Sequence, residues 1–72
     1  MSAQHIFYRQ QAAEARAGAT AATLRNVRDR WLLSEAAWTE LANRSERAEK
    51  MHDKLALRKA RERAALEAAA QD

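Results

Sequence analysis

Apolar and small residues recur through the middle of this chain at alternating steps of three and four residues. The positions that follow this rhythm are Leu24, Val27, Trp31, Ser34, Trp38, Leu41, Ser45 and Ala48. That alternation is the a and d pattern of an amphipathic helix. Because one apolar stripe cannot bury itself, the pattern predicts a helix that packs against a partner helix.

A second stripe, with smaller side chains, precedes the first. Its members, again four and three residues apart, are Tyr8, Ala12, Ala15, Ala19 and Ala22. Residues that disfavour helix interiors lie between the two stripes. Gly18 costs about 1 kcal/mol relative to Ala, and Thr20 and Thr23 prefer helix caps. We therefore predict two helices separated by a turn, with Thr23 as the N-cap of the second.

These signals predict an all-α fold, a two-helix antiparallel hairpin that forms one domain over residues 1–72. We expect helix 1 over about 3–18, a turn over about 19–23 and a longer helix 2 over about 24–68. In such a hairpin, positions whose numbers sum to about 42 face each other. The predicted facing pairs are Ala15 with Val27, Ala12 with Trp31, Tyr8 with Ser34 and Glu35, and His5 with Trp38. The alternative is one continuous helix of about 60 residues in a parallel coiled coil.

The C-terminal part of helix 2 differs from its Trp-containing beginning. Residues 43–72, the basic arm, carry few apolar side chains larger than alanine: Met51, Leu55, Leu57 and Leu66. Five basic residues cluster there around the single acid Glu62: Lys54, Arg58, Lys59, Arg61 and Arg63. Helix 1 reaches only about half of helix 2, so we expect the arm to pair with another chain, bind a ligand or fray.

Composition favours association between chains. The chain has 72 residues, no Cys, no Pro and a formal net charge of +3. Many of its apolar residues are alanine, which adds helix propensity more than buried area. A core this small rarely supplies more than about 3–5 kcal/mol without disulfides, metal or oligomerisation. We therefore expect self-association into a helical bundle or coiled coil, as a homodimer or a higher homo-oligomer.

No arrangement of residues predicts a catalytic or cofactor site. Glu49 and His52 have the i, i+3 spacing of di-iron bundle ligands, but the motif occurs once, and such bundles need two. A solvated histidine is the simpler interpretation. The sequence has no Gly-rich phosphate loop and no activated nucleophile. We expect a protein that is not an enzyme and that holds no metal or cofactor.

The sequence also bears on location. The N-terminus has neither the basic region nor the apolar run of a secretory signal. No apolar run approaches the ~20 residues that cross a membrane. We therefore expect a cytoplasmic protein without a membrane span.

Three segments together resemble a known group of proteins. They are Tyr8-Arg9-Gln10-Gln11-Ala12-Ala13-Glu14-Ala15-Arg16, Val27-Arg28-Asp29-Arg30-Trp31 and Ala36-Ala37-Trp38-Thr39-Glu40-Leu41-Ala42. The pattern resembles short, uncharacterised alphaproteobacterial helical-hairpin proteins, with a Tyr-started helix, a turn and a helix carrying Ala-x-x-Trp-x-x-Leu-Ala. This chain matches the Trp-x-x-Leu-Ala part of that motif, and it has Leu24 where those proteins often carry Pro. The resemblance implies a hairpin and a bacterial source, and it implies no activity.

These observations predict a small structural or adaptor protein. It would self-associate, or dock on a larger protein assembly, through a Trp-rich face, the face of helix 2 that carries Trp31 and Trp38. The predicted partner or oligomer interface comprises Tyr8, Leu24, Val27, Trp31, Trp38, Leu41, Met51 and Leu55. The alternative is a nucleic-acid-associated protein, since clustered Lys and Arg contact phosphates. Its predicted contacts are Arg25, Arg28, Arg30, Lys54, Arg58, Lys59, Arg61 and Arg63.

Overall fold

The computed structural model describes residues 4–71, which form two antiparallel α-helices. Helix α1 spans Gln4–Ala21 and helix α2 spans Arg25–Ala70. The two helices pack side by side, and the molecule extends over 73 × 14 × 10 Å. The all-α hairpin is therefore confirmed, and the alternative of one continuous helix is wrong.

Helix α1 was predicted to end near Gly18. It continues instead through Thr20 to Ala21. The Thr20 hydroxyl donates a hydrogen bond of 3.1 Å to the carbonyl oxygen of Arg16, one turn back. That bond satisfies the threonine inside the helix instead of at a cap. Packing accounts for Gly18, since a Cβ atom at this position would lie 2.5 Å from the Trp31 ring. The predicted first residue of helix 1, Ala3, lies outside the described residues.

The N-cap of α2 is Leu24, so the prediction of Thr23 is wrong. Leu24 is extended, with φ −96° and ψ 135°, and its carbonyl oxygen accepts the Arg28 N–H at 3.0 Å. A leucine side chain has no oxygen to cap the first N–H groups. At its other end, α2 continues two residues beyond the predicted residue 68.

The longer α1 changes which residues face each other. Trp31 lies against Gly18 and not Ala12. Trp38 contacts the rings of Phe7 and Tyr8, and His5 lies beside Glu49 instead. The turn is centred later in the chain than predicted, so each α1 residue meets α2 further along. The predicted pairings of Trp31 with Ala12 and of His5 with Trp38 are wrong for this reason, although the antiparallel direction is right.

Alanines form the centre of the hairpin. Ala15, Ala19 and Ala42 are the only buried residues within the described range, and none of the large apolar side chains described there is fully buried. Alanine allows two helix backbones to approach closely but adds little buried apolar area. The accessible surface is 6132 Å², whereas a compact monomer of this mass exposes about 4500 Å².

The hairpin covers only part of α2. The last α2 residue with a described contact to α1 is Glu49, which lies beside His5 near the start of α1. Every residue from 51 to 70 is exposed. We call residues 51–70 the projecting segment, a helix of about 30 Å at 1.5 Å per residue. The radius of gyration, 20.6 Å, is well above the roughly 11 Å of a compact chain of this length.

Candidate interaction surfaces

The contact between α1 and α2 has two chemically different edges. His5, Arg9 and Arg16 are spaced four and seven residues apart, which places them on one side of α1. They meet carboxylates of α2 and form the polar edge. Phe7 and Gly18 are eleven residues, or about three turns, apart on another side of α1. They meet Trp38 and Trp31 and form, with Tyr8, the aromatic edge.

Arg9 is the centre of the polar edge. Its Nε donates to Oε1 of Glu46 at 2.8 Å, and its Nη2 donates to the same oxygen and to Oδ1 of Asn43, the latter at 3.2 Å. This hydrogen-bonded guanidinium holds the pKa of Glu46 below its ordinary value. Sequence spacing suggests Lys50 as the partner of Glu46, but the stronger partner comes from α1.

Two further contacts extend the polar edge in both directions. Nη1 of Arg16 donates to Oε2 of Glu35 at 3.3 Å. At the other end, Nδ1 of His5 lies 2.9 Å from Oε2 of Glu49, within ion-pair distance but without hydrogen-bond geometry. These contacts join residues distant in sequence, so they hold the antiparallel register of the two helices.

The groove beside His5 is the place where a metal site would be sought. It has a volume of about 350 Å³ and is lined by His5, Glu46, Glu49, Lys50 and Asp53. Nevertheless, residues 4–71 contain no group of three His, Cys, Asp or Glu side chains arranged to hold a metal ion. Glu46 is engaged by Arg9, and the ammonium group of Lys50 adds a competing positive charge to the groove.

Three rings form the aromatic edge near the start of α1. The rings of Phe7 and Trp38 meet edge-on, at 90° and a centroid distance of 5.9 Å. The Tyr8 ring lies 5.8 Å from that of Trp38 and 5.9 Å from that of Phe7. Such arrangements are favourable beyond the area that they bury. Phe7 nevertheless remains 49% exposed, so the cluster presents an apolar surface to solvent.

The rest of the aromatic edge lies one heptad closer to the turn. The Trp31 ring rests on Gly18, and a shallow surface of Val27, Arg30, Trp31 and Ser34 continues from it. Trp31 is 42% exposed although it contacts α1. The aromatic edge therefore packs within the hairpin and still leaves part of the Phe7 and Trp31 side chains exposed.

The structure divides the predicted interface residues into two groups. Tyr8, Val27, Trp38 and Leu41 are half-buried in the hairpin, together with the more exposed Trp31. The remaining three are exposed: Leu24 beside the turn, and Met51 and Leu55 in the projecting segment. The predicted interface is therefore not one surface.

Sequence reasoning missed Phe7 and Gly18 as members of the aromatic edge. Phe7 is off the stripe that Tyr8 begins, and only its eleven-residue spacing from Gly18 indicates that the two share a side of the helix. By helix propensity alone, Gly18 indicates a helix end. A lone glycine inside an otherwise strong helical pattern also indicates close packing, and that signal was available.

The predicted nucleic-acid contacts also fall into separate groups. Arg25, Arg28 and Arg30 are exposed in the first turns of α2. The basic cluster of the projecting segment begins at Lys54, and Arg28 is about 39 Å away along the helix at 1.5 Å per residue. Within residues 4–71, none of the five cations of that cluster takes part in an ion pair.

Comparison with known proteins adds no assignment. Protein families, curated proteins and solved structures all give no match to this chain. Neither helix is long and apolar enough to cross a membrane over the residues that the structure describes.

Proposed function

We propose that this chain is a small structural or adaptor protein that self-associates through the aromatic edge of its hairpin. The observation that supports the proposal most directly is the shortage of buried area in a single copy. Three alanines are the only buried residues in the described range, and ten large apolar side chains there are exposed. Oligomerisation supplies the missing area in a domain of this size.

The aromatic edge is better suited to self-association than the polar edge. Its exposed ring surfaces belong to Phe7 and Trp31, and aromatic side chains dominate the energetics of protein interfaces. The polar edge is already occupied, because Arg9 and Arg16 are paired with Glu46 and Glu35 of the same chain. Burying those ion pairs in an interface would cost desolvation free energy, and the charges would gain no new partners in return.

An antiparallel dimer in which two hairpins share their aromatic edges forms a four-helix core. Phe7, Trp31 and Trp38 of both copies would then cover one another, as in bundles with interdigitating core side chains. Docking on a larger protein assembly through the same edge is the heterotypic form of this function. The cytoplasmic location and the bacterial source remain predictions from the sequence.

Nucleic-acid association is less well supported as a function. The nearest members of its two predicted groups of contacts, Arg30 and Lys54, are about 36 Å apart along α2 at 1.5 Å per residue. Residues 54–63 contain no aromatic side chain for base stacking, which is a common element of single-strand binding. The unpaired cations of the projecting segment are the observation that favours it.

A matched pair of variants tests the proposed interface. Phe7→Ala removes an exposed ring from the aromatic edge. Leu33→Ala removes a similar apolar group, 73% exposed, from the opposite side of α2, about 200° from Trp31 around the helix. We expect Phe7→Ala to weaken self-association by about tenfold or more in sedimentation velocity, since truncating a central aromatic costs over 1 kcal/mol. Circular dichroism should show that each variant remains helical.

The control variant should associate like the wild type. If Leu33→Ala disrupts self-association and Phe7→Ala does not, the chains associate through the back of α2 and the proposed interface is wrong. If neither variant changes the association, the aromatic edge contributes nothing to it.

A further inference from the structure

The projecting segment carries an apolar stripe of its own. Met51, Leu55 and Leu66 lie on one side of the helix with Arg58 and Glu62 between them, at steps of four, three, four and four residues. Met51, Leu55 and Leu66 are 59%, 39% and 71% exposed. The stripe is about 22 Å long at 1.5 Å per residue, or some four helical turns.

This stripe does not continue the side of α2 that packs on α1. With about 100° per residue, the α1-facing side extends into the projecting segment as Ala56, Ala60 and Ala64, whereas the stripe lies roughly opposite. Packing between α1 and α2 therefore does not explain why large apolar residues occur in the stripe. Their placement points to a surface that is separate from the aromatic edge.

Charge is sorted around the stripe. Lys54 and Arg61 border it on one side, and Lys59 and Arg63 border it on the other, each within about 100° of its centre. Asp53 and Glu67 lie on the far side of the helix. The borders are thus uniformly basic, and these cations have no ion-pair partner among the described residues.

The charges of residues that border an apolar helical stripe determine which second helix can pair with it. In paired helices they lie next to the equivalent residues of the other helix, so opposite charges favour pairing and like charges oppose it. A second copy of this chain would bring Lys54, Lys59 and Arg61 against the same cations. The self-association proposed above therefore does not extend along the stripe.

We propose that the projecting segment is a docking site for an acidic amphipathic helix of another protein. The partner helix has apolar side chains that cover Met51, Leu55 and Leu66 and carboxylates that pair with the basic borders. A basic group on the partner, opposite Glu62, completes the fit. This inference is independent of self-association through the aromatic edge, which lies on the hairpin.

Other anionic partners fit the segment less well. A nucleic acid would use the cations but would leave the apolar stripe in water. An anionic membrane surface would use both, but it would bury the Glu62 carboxylate within the apolar side that enters the lipid. A protein helix accommodates all three features.

Two designed helical peptides serve as probes for the full chain. Both have leucine at the a and d positions; the acidic probe has Glu at every e and g position, and the basic probe has Lys there. We expect fluorescence anisotropy to show the acidic probe binding at least about tenfold more tightly, because each bordering cation attracts one peptide and repels the other. The preference should fall as salt is raised.

Charge reversal distinguishes this site from general attraction to a basic protein. The triple variant Lys54→Glu, Lys59→Glu, Arg61→Glu should reverse the preference and bind the basic probe. The matched triple variant Arg25→Glu, Arg28→Glu, Arg30→Glu removes the same charge from the hairpin and should keep the wild-type preference. Leu55→Ser should weaken acidic-probe binding by about tenfold, whereas Leu33→Ser should not.

Several outcomes would overturn the proposal. One is equal loss of acidic-probe binding in the two triple variants. Another is tight binding to a 20-base-pair DNA duplex, or to phosphatidylserine vesicles, by a chain that does not prefer the acidic probe. Sedimentation of the Lys54, Lys59 and Arg61 triple variant separates the two proposals, because its self-association through the aromatic edge should be unchanged.

Discussion

The two halves of α2 are parts of one helix, but they are stabilised in different ways. Residues 25–50 pack on α1 through alanines, aromatic rings and carboxylates that meet α1 cations. Residues 51–70 are exposed throughout. Intrinsic propensity favours helix in the second half, but an isolated helix of that length is marginal in water. Helical geometry alone therefore does not indicate how stable a segment is.

Charge shows the same difference between the two halves. Glu35, Glu46 and Glu49 are each within ion-pair distance of a basic α1 residue. These contacts link α1 to α2 across the hairpin. The projecting segment has a similar density of charge, but its cations have no partner in the described chain. In one half, charged side chains are paired across the two helices, and in the other the cations are available to a partner.

The largest difference between the two halves of α2 is expected when an aromatic ring in the first half is truncated. Trp38→Ala removes the ring that contacts both Phe7 and Tyr8, and a truncation of this kind costs about 3 kcal/mol or more. That is comparable to the whole stability of so small a core, so most helical signal should be lost in urea titrations followed by circular dichroism. Leu66→Ala, at a position 71% exposed, should change stability by less than about 0.5 kcal/mol. Equal effects would contradict the distinction between the halves.

A smaller effect is expected from filling the contact between Gly18 and Trp31. Gly18→Ala places a methyl group 2.5 Å from the Trp31 ring, and overpacking of this kind costs about 1–3 kcal/mol. That cost opposes the gain of about 1 kcal/mol in helix propensity, so we expect a lower melting temperature. The double variant Gly18→Ala, Trp31→Leu should recover part of the loss.

An exposed neighbour serves as the control for Gly18. Ala17→Gly changes propensity without this contact and should cost about 1 kcal/mol. If Gly18→Ala raises the melting temperature instead, the Trp31 ring moves away at little cost, and Gly18 is not needed for packing.

The smallest effect concerns the ion pair of Glu46. Its pKa is lowered in the folded chain by hydrogen bonding to Arg9, so ionised Glu46 favours folding. This contribution is present above the unfolded pKa of about 4.3 and is lost as the pH falls through the lower folded value. Glu46→Gln should lower the melting temperature slightly at pH 7 and not at pH 2. Glu62→Gln, in the projecting segment, is the control, since Glu62 makes no ion pair with α1; it should leave the melting temperature at pH 7 unchanged.

The sequence predicted the number, type and direction of the helices because their stripes are regular over many turns. It misplaced the turn because Gly18 and Thr20 were judged by propensity alone. In the structure, a hydrogen bond satisfies Thr20 and the Trp31 ring occupies the space beside Gly18. Both effects are tertiary or side-chain interactions that override intrinsic preference. A shift of the turn centre by about two residues is enough to change every facing pair.

The exposed apolar surfaces follow from the sequence less completely than the fold does. The stripe that contains Trp31 and Trp38 indicated where apolar contact would occur, but not that Trp31 remains exposed while it contacts α1. Met51 and Leu55 were assigned to the same interface because they are also apolar, although they lie on the side of α2 away from α1. Which apolar residues of α2 face α1 depends on how the two helices pack together. The pattern of one stripe does not determine that packing.

The most direct test of the account is sedimentation equilibrium of the full chain over a wide range of protein concentration, with thermal melts on the same samples. Self-association through the aromatic edge predicts a mass that rises from the 8.2 kDa of one chain toward twice that value or more. It also predicts a melting temperature that rises with concentration by mass action. A mass of one chain at every concentration, with a constant and cooperative melt, would contradict it.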